Sequence, residues 1–121
     1  MIFLRNGKVV TISSGTIPVS GTYRSVAYDV AAILDGIYTL EWTVTGDGTM
    51  KAEVLTSING VTFHNLDTDI TAAQTKATGI DANGVNMAGF TAIRCCQIKI
   101  LFTETGAANS IAVVASLRVA H

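Results

Sequence analysis

The sequence predicts an all-β fold: a two-sheet antiparallel sandwich of the jelly-roll or Greek-key type, with about eight strands. Three observations predict it. Apolar and polar residues alternate with period two in several segments, turn sequences rich in glycine and asparagine separate these segments, and no segment has the apolar spacing of a long helix. The 121 residues are enough for one hydrophobic core, so we expect a single domain over residues 1–121.

The chain begins with four apolar residues, and charged and polar residues follow at once. Residues 1–7 are a candidate N-terminal arm that could add to the sheet edge or groove of a neighbouring molecule. The candidate partner contacts in this arm are Met1, Ile2, Phe3 and Leu4. The alternative is that the segment forms the first strand of the domain's own sandwich. Weaker alternation predicts the next strands at residues 8–12 and 22–30.

The clearest alternation covers residues 38–45, where Tyr38, Leu40, Trp42 and Val44 share one face. Residues 46–48, Gly-Asp-Gly, form a tight turn, because glycine and aspartate tolerate positive φ. Alternation resumes over residues 50–54, with Lys51 and Glu53 on the outward face. These two segments predict a β-hairpin.

A second turn is predicted at residues 57–60, because Asn-Gly is a strong hairpin signal. A short third strand follows at residues 61–64. Residues 65–89 show no sustained period and hold three glycines, so we expect a long loop there, within which residues 71–78 could form one helical turn. Such loops often carry function.

The last third of the chain predicts strands at residues 90–94, 96–103 and 111–119, with a turn at 106–110. The final strand is apolar on one face throughout and on both faces at its start. A strand apolar on both faces is often covered on both. We expect that the second cover could be another subunit.

The charge balance excludes several classes of protein. Charged residues make up 14% of the chain and the formal net charge is −1, which provides no attraction for nucleic acid or an anionic membrane. No apolar run reaches the length of a membrane helix or a secretory leader, so we expect synthesis in the cytoplasm. The adjacent Cys95 and Cys96 do not suit a disulfide-stapled scaffold. A surface of small polar residues instead favours close contact with other proteins.

Catalytic and metal sites are not indicated. His64 with Asp67 and Asp69 is the one cluster of metal-ligand types, and it lacks the pattern of a calcium loop. Glu41 and Glu53, on adjacent strands of the predicted hairpin, are the one candidate carboxylate pair, but their neighbours suggest a solvated face. No serine lies in a nucleophile elbow. We therefore expect no enzyme, no cofactor and no bound metal.

A carbohydrate-binding module is a rival interpretation, because β-sandwiches often stack aromatic rings on sugars. The strand alternation places Tyr38 and Trp42 in the core. The rings left for a binding platform are Tyr23, Phe3 and Phe63.

Four segments of the chain form a recognisable series: GIYTLEW at 36–42, GDGT at 46–49, SINGVTF at 57–63 and IKILFTETG at 98–106, followed by a valine-rich last strand. Together they resemble small jelly-roll modules of virion structural proteins in tailed phages and prophages. The resemblance is one of turns and faces over residues 26–119, and no functional residue carries over. It implies a capsid decoration or cement protein, or a tail accessory part, that is made in the host cytoplasm and belongs to the virion.

The implied partners are the major capsid protein or other virion proteins and copies of the chain itself, as a homotrimer or another symmetric oligomer. A carbohydrate-binding or host-attachment module of a phage tail or fibre is the alternative. A subunit of a bacterial filament or secreted assembly is a further one.

Overall fold

A computed structural model describes residues 2–33, 36–76, 85–91 and 96–120, with backbone alone at 66–69, 72, 73 and 85. This part of the chain is all strand and connection; it holds no helix, and so none that could span a membrane. The strands are β1 (Ile2–Phe3), β2 (Val9–Ile17), β3 (Thr22–Arg24), β4 (Tyr28–Asp29), β5 (Ile37–Gly46), β6 (Met50–Ser57), β7 (His64–Gln74), β8 (Val85–Phe90), β9 (Gln97–Glu104) and β10 (Ile111–Ala120).

The strands form two sheets. One sheet has four strands in the order β2-β10-β5-β8, and the other has six, in the order β1-β4-β9-β6-β7 with β3 also paired to β9. β3 and β4 follow one another along β9 and act as one interrupted strand. Counted in this way, the eight strands from β2 onwards have jelly-roll connectivity, which confirms the predicted fold.

The core lies between the sheets and follows the alternation seen in the sequence. β5 and β10 bury every second side chain, and β9 does the same from Ile98 onwards. The central strand β6 buries every residue except Lys51. The largest buried apolar side chains are Trp42, Tyr28, Phe102, Ile17, Leu40, Met50, Ile98, Ile100, Ile111 and Leu117. Because β-branched and aromatic residues fill both inner faces, the sandwich closes without a helix.

The predicted hairpin of residues 38–54 is wrong in its pairing. Both strands exist, but β5 pairs with β10 and β8, whereas β6 pairs with β9 and β7 in the other sheet. The Gly-Asp-Gly turn therefore crosses from one sheet to the other. Alternation shows which side chains of a strand point inward, but two strands joined by a short turn can share a sheet or face each other across the core.

The expected long loop over residues 65–89 is wrong for its described part, which contains most of β7 and nearly all of β8. Residues 61–63 are a connection instead of a strand, and the helical turn expected at 71–78 is replaced by strand up to Gln74. The predicted strand at 90–94 ends at Phe90, and residues 92–95 lie outside the described part. β7 and β8 are both edge strands, and β7 pairs with β6 through repeated register shifts. Edge strands have a neighbour on one side only, so weak strand sequences suffice there.

The connection between β5 and β6 packs too closely for a side chain at Gly48. A Cβ atom built there would lie 2.7 Å from Cγ2 of Ile111 and would also meet the carbonyl oxygen of Asn109. We expect Gly48→Ala to destabilise the fold by about 1–3 kcal/mol, the usual cost of overpacking. Thermal unfolding followed by circular dichroism measures this loss.

Gly89→Ala is the matched control, because its new Cβ would come no closer than 3.7 Å to the Tyr38 carbonyl oxygen. Equal melting temperatures for the two variants would contradict the packing described at Gly48.

Candidate contact surfaces

The connection between β6 and β7, residues 58–63, is a short loop fixed by two side chains. Ser57 Oγ accepts hydrogen bonds from the backbone N–H groups of Asn59 (3.3 Å) and Gly60 (2.9 Å). Asn59 Oδ1 accepts from those of Val61 (2.8 Å) and Thr62 (2.9 Å), and also from the Ser57 hydroxyl (3.1 Å). Side-chain bonds of this kind hold a turn in one conformation.

This 58–63 loop folds onto the outer face of the six-stranded sheet. Gly60, at φ +75°, lies against the side chain of Gln97, and the Lys99 ammonium lies 4.4 Å from the centre of the Phe63 ring. Ile58 and Val61 nevertheless point into solvent and are 75% and 82% exposed, the highest values among the exposed large apolar residues described. A fixed loop that displays two apolar side chains is a candidate protein contact.

The outer face of the four-stranded sheet is a second candidate surface. It is built mainly from threonine, serine, alanine and exposed aliphatic side chains. The large apolar members are Val9, Ile37, Met87 and Val114, each between 52% and 59% exposed. Val114 lies on the outward face of β10, where the sequence suggested that a further subunit could provide cover, and that suggestion stays a prediction.

A depression of about 430 Å³ lies within this outer face. Its lining residues are Val9, Thr39, Glu41, Met87, Ser116 and Arg118. Glu41 and Arg118 are its two charged groups, and neither has a hydrogen-bond or ion-pair partner among the residues that the structure describes. The depression thus combines two hydroxyls, two charges and two apolar side chains. This combination is more typical of a binding site than of a catalytic site.

The N-terminal residues form a short strand of the domain itself, which was the alternative to a free arm. Ile2 and Phe3 pair in parallel with β4, and the Leu4 N–H donates to the Asp29 carbonyl oxygen at 2.9 Å. Leu4 is buried in the core, whereas Ile2 and Phe3 stay partly exposed. Met1 lies outside the described residues. Contact with a partner through Ile2 and Phe3 stays a prediction.

The polar candidates from the sequence do not assemble into a reactive site. His64 is exposed at the start of β7, while the side chains of Asp67 and Asp69 lie outside the described part. Among described residues no three histidine, cysteine or acidic side chains cluster as metal ligands. Glu41 and Glu53 lie on the outer faces of opposite sheets and cannot act as a pair.

Glu53 is buried and accepts a hydrogen bond from the Asn65 amide, which differs from the solvated face expected for it.

The three aromatic residues considered for a sugar-binding platform do not lie together. Tyr23 pairs with the buried Phe102, shares its inward face and packs against the core. Phe63 contacts Lys99, and Phe3 lies on β1.

One buried carboxylate, Glu104, escaped the sequence interpretation. It ends β9 on the inward face, is 1% exposed, and accepts hydrogen bonds from four backbone N–H groups. The donors are Thr49 (2.9 Å), Gly106 (2.7 Å), Ala107 (2.9 Å) and Ser20 (3.2 Å). The carboxylate therefore joins three separate connections. A glutamate that continues the apolar series Ile98, Ile100, Phe102 just before a glycine turn was the available signal.

These hydrogen bonds also determine the ionisation of Glu104. The bond from Thr49 lowers its pKa most, burial acts in the opposite direction, and the bonds from Gly106, Ser20 and Ala107 add to the lowering, so the pKa falls to about 2. Since both carboxylate oxygens are occupied, Glu104 is a structural anion and cannot serve as a general acid.

Comparison with known proteins supports the fold and leaves the family open. No protein-family model matches the chain, and no curated protein matches it significantly in sequence. Solved structures do match. The VP2 subviral particle of infectious bursal disease virus is similar over 94% of this chain and 33% of that one, with a TM-score of 0.63 and 12% identity.

T=1 particles derived from the same virus give a TM-score of 0.57 at 13% identity, over 94% of this chain and 31% of that one. The chain thus spans about a third of these viral capsid proteins. The CBM22-1 xylan-binding domain of Paenibacillus barcinonensis Xyn10C is similar over 95% of this chain and 96% of that domain, with a TM-score of 0.52 and 9% identity. The chain shares its fold with viral capsid jelly rolls and with other β-sandwich modules.

The lowered pKa of Glu104 predicts a pH-dependent stability. A carboxyl group whose pKa is about 2 in the folded chain and about 4.3 in the unfolded chain stabilises the fold above pH 4.3 and loses that effect as the pH falls towards 2. Glu104→Gln should therefore have a much lower melting temperature than the wild type at pH 7. The difference between the two melting temperatures should become smaller as the pH falls from 4.3 to 2.

Asp47→Asn is the control, because it removes a carboxylate from the neighbouring turn that is only in an exposed ion pair with Lys76. Such pairs contribute little, so this variant should melt close to the wild type. If the melting-temperature difference between Glu104→Gln and the wild type stays constant down to pH 2, the proposed role of the charge is refuted.

Proposed function

We propose that this chain is a non-enzymatic structural protein of a virion, which decorates or cements a phage capsid through symmetric protein–protein contacts. The observation that carries the proposal is the 58–63 loop, which holds Ile58 and Val61 in solvent on a backbone fixed by hydrogen bonds. Preorganised apolar groups lose little conformational entropy when they bind, so they suit insertion into a pocket of another protein.

The chemistry of the loop favours a protein partner over a lipid surface. Residues 58–63 carry no charge, so they gain nothing from anionic headgroups. Two aliphatic side chains also bury too little area to anchor a protein in a bilayer. On a particle, the same weak contact is repeated at every equivalent position. Contacts that are weak singly then hold a protein firmly when several of them act on one linked oligomer.

The buried carboxylates support a structural role instead of catalysis. Glu104 is saturated by backbone donors and Glu53 is bonded to Asn65. The shared fold of viral capsid jelly rolls is compatible with the same role. The partners proposed are the major capsid protein or other virion proteins, together with copies of the chain itself as a homotrimer or another symmetric oligomer. Nucleic acid and membrane are not proposed as partners, because the chain is nearly neutral.

A carbohydrate-binding or host-attachment module of a phage tail or fibre is the second candidate. The observation that favours it is the depression on the four-stranded sheet, where Glu41, Arg118 and the hydroxyls of Thr39 and Ser116 could bind sugar hydroxyls. Among the described residues that line the depression, none is an aromatic side chain that could stack on a sugar ring. The capsid role is therefore the better supported of the two.

Binding to the particle should depend on the 58–63 loop. We expect the double variant Ile58→Ser/Val61→Ser to bind at least about tenfold more weakly to particles that lack the chain, because two buried aliphatic side chains contribute more than the 1.4 kcal/mol that a tenfold change requires. Co-sedimentation with particles from the virus or prophage that encodes the chain measures this change.

The control is Val26→Ser, which removes another exposed valine (56% exposed) outside the loop and should bind as the wild type does. All variants should keep the wild-type melting temperature. Failure of the wild type to bind these particles would refute the capsid role, and unchanged binding of the double variant would refute the role of the loop.

A further inference from the structure

We propose that the outer face of the four-stranded sheet is a self-association surface, on which a second copy of the chain packs around a two-fold axis. This inference rests on the self-association included in the proposed function and names its surface and symmetry. The depression lies within this surface and is lined by residues from all four strands. Three observations carry the proposal: where the apolar residues lie, how the two charges are placed, and how large the face is.

The exposed apolar residues are spread over the whole face. Val9 belongs to β2, Val114 to β10, Ile37 to β5 and Met87 to β8, so each of the four strands contributes one. The depression includes only Val9 and Met87. A small ligand in the depression would leave the other two in water, whereas a flat protein partner would cover all four.

The charges of the depression are self-complementary. Glu41 pairs across the ladder with Ser116, and Arg118 pairs with Thr39, which makes Glu41 and Arg118 diagonal neighbours on adjacent strands. Neither has a charged or hydrogen-bonding partner in the described part of the chain. A two-fold axis that passes between them places Glu41 of each copy against Arg118 of the other and forms two equivalent ion pairs.

The same two charges argue against a partner of another kind. An acidic protein surface would satisfy Arg118 and bury Glu41 against like charge, and a basic surface would do the reverse. Burying one unpaired charge is costly, and like charges brought together at an interface cost several kcal/mol. A second copy of the chain carries both charges in the required arrangement.

The size of the face is sufficient for a specific contact. Strands of 9 and 10 residues at a rise of about 3.3 Å are about 30 Å long, and four strands at a spacing of about 4.8 Å are about 19 Å wide. Because β8 has only six residues, the flat area is about 550 Å², and side-chain relief increases the accessible area. A standard interface buries about 800 Å² per partner.

Charge reversal tests the pairing directly. We expect the wild type to associate into a dimer, or into an oligomer that contains two-fold pairs, as its concentration rises in sedimentation velocity. Glu41→Arg and Arg118→Glu should each raise the dissociation constant by at least about tenfold, because each places two like-charged pairs in the interface. The double reversal Glu41→Arg/Arg118→Glu should restore association to within about threefold of the wild type.

Arg24→Glu is the matched control, since Arg24 is exposed on β3 of the other sheet, and it should leave association unchanged. Circular dichroism and melting temperature confirm that every variant is folded. A wild type that stays monomeric at all concentrations would overturn the proposal. An oligomer whose association neither single reversal weakens would also overturn it. The same holds if the single reversals weaken association and the double reversal does not restore it.

Failure of this inference differs from failure of the capsid role. If the wild type binds particles through the 58–63 loop while the reversal variants associate normally, only the two-fold surface is wrong. If the reversals behave as expected and no particle is bound, the surface is right and the capsid role is wrong.

Discussion

The carboxylate of Glu104 is the interaction on which the rest of the sandwich depends. Its four hydrogen-bond donors belong to the β2–β3, β5–β6 and β9–β10 connections, and each of these passes from one sheet to the other. Ser20 and Ala107, two of these donors, have φ values of 56° and 60°, a conformation that non-glycine residues seldom adopt. The buried anion thus offsets local backbone strain and holds the two sheets in register at this end.

A sandwich that Glu104 holds together from within can have a surface with few charged residues. The 58–63 loop lies at the far end of β6 from Glu104 and is held by its own serine and asparagine hydrogen bonds. The outer face of the four-stranded sheet is held by β10, which pairs continuously with β5 and, with one register shift, with β2. Both surfaces have a hydrogen-bonded backbone and expose aliphatic side chains. Apolar surfaces of this kind suit permanent contacts in an assembly, where little ordering remains to be done on binding.

Much of the fold could be predicted from the sequence, because alternation reports directly which side chains point inward. It placed Leu40 and Trp42 in the core correctly. It could not assign β5 and β6 to different sheets, since a Gly-Asp-Gly turn suits a hairpin and a crossover equally. β7 and β8 escaped prediction because edge strands tolerate the alanine, threonine and asparagine that elsewhere indicate a loop.

The candidate surfaces were less predictable. The turn at Ser57–Gly60 was evident from Asn-Gly, but the exposure of Ile58 and Val61 depends on how the loop packs against Gln97 and Lys99. The pairing of Glu41 with Glu53 failed because it assumed the hairpin. Glu104 was hidden because a charged residue at a strand end is normally solvated, and its donors come from connections far apart in sequence.

The central proposal is that the chain is a structural part of a virion, and the protein composition of purified particles tests this proposal most directly. Quantitative mass spectrometry of density-purified, salt-washed virions from the source of this sequence measures its copy number against the major capsid protein. The account predicts the chain at a fixed ratio that corresponds to a set of symmetry-equivalent positions. Its absence from such particles, while it accumulates in the cells that produce them, would contradict the account.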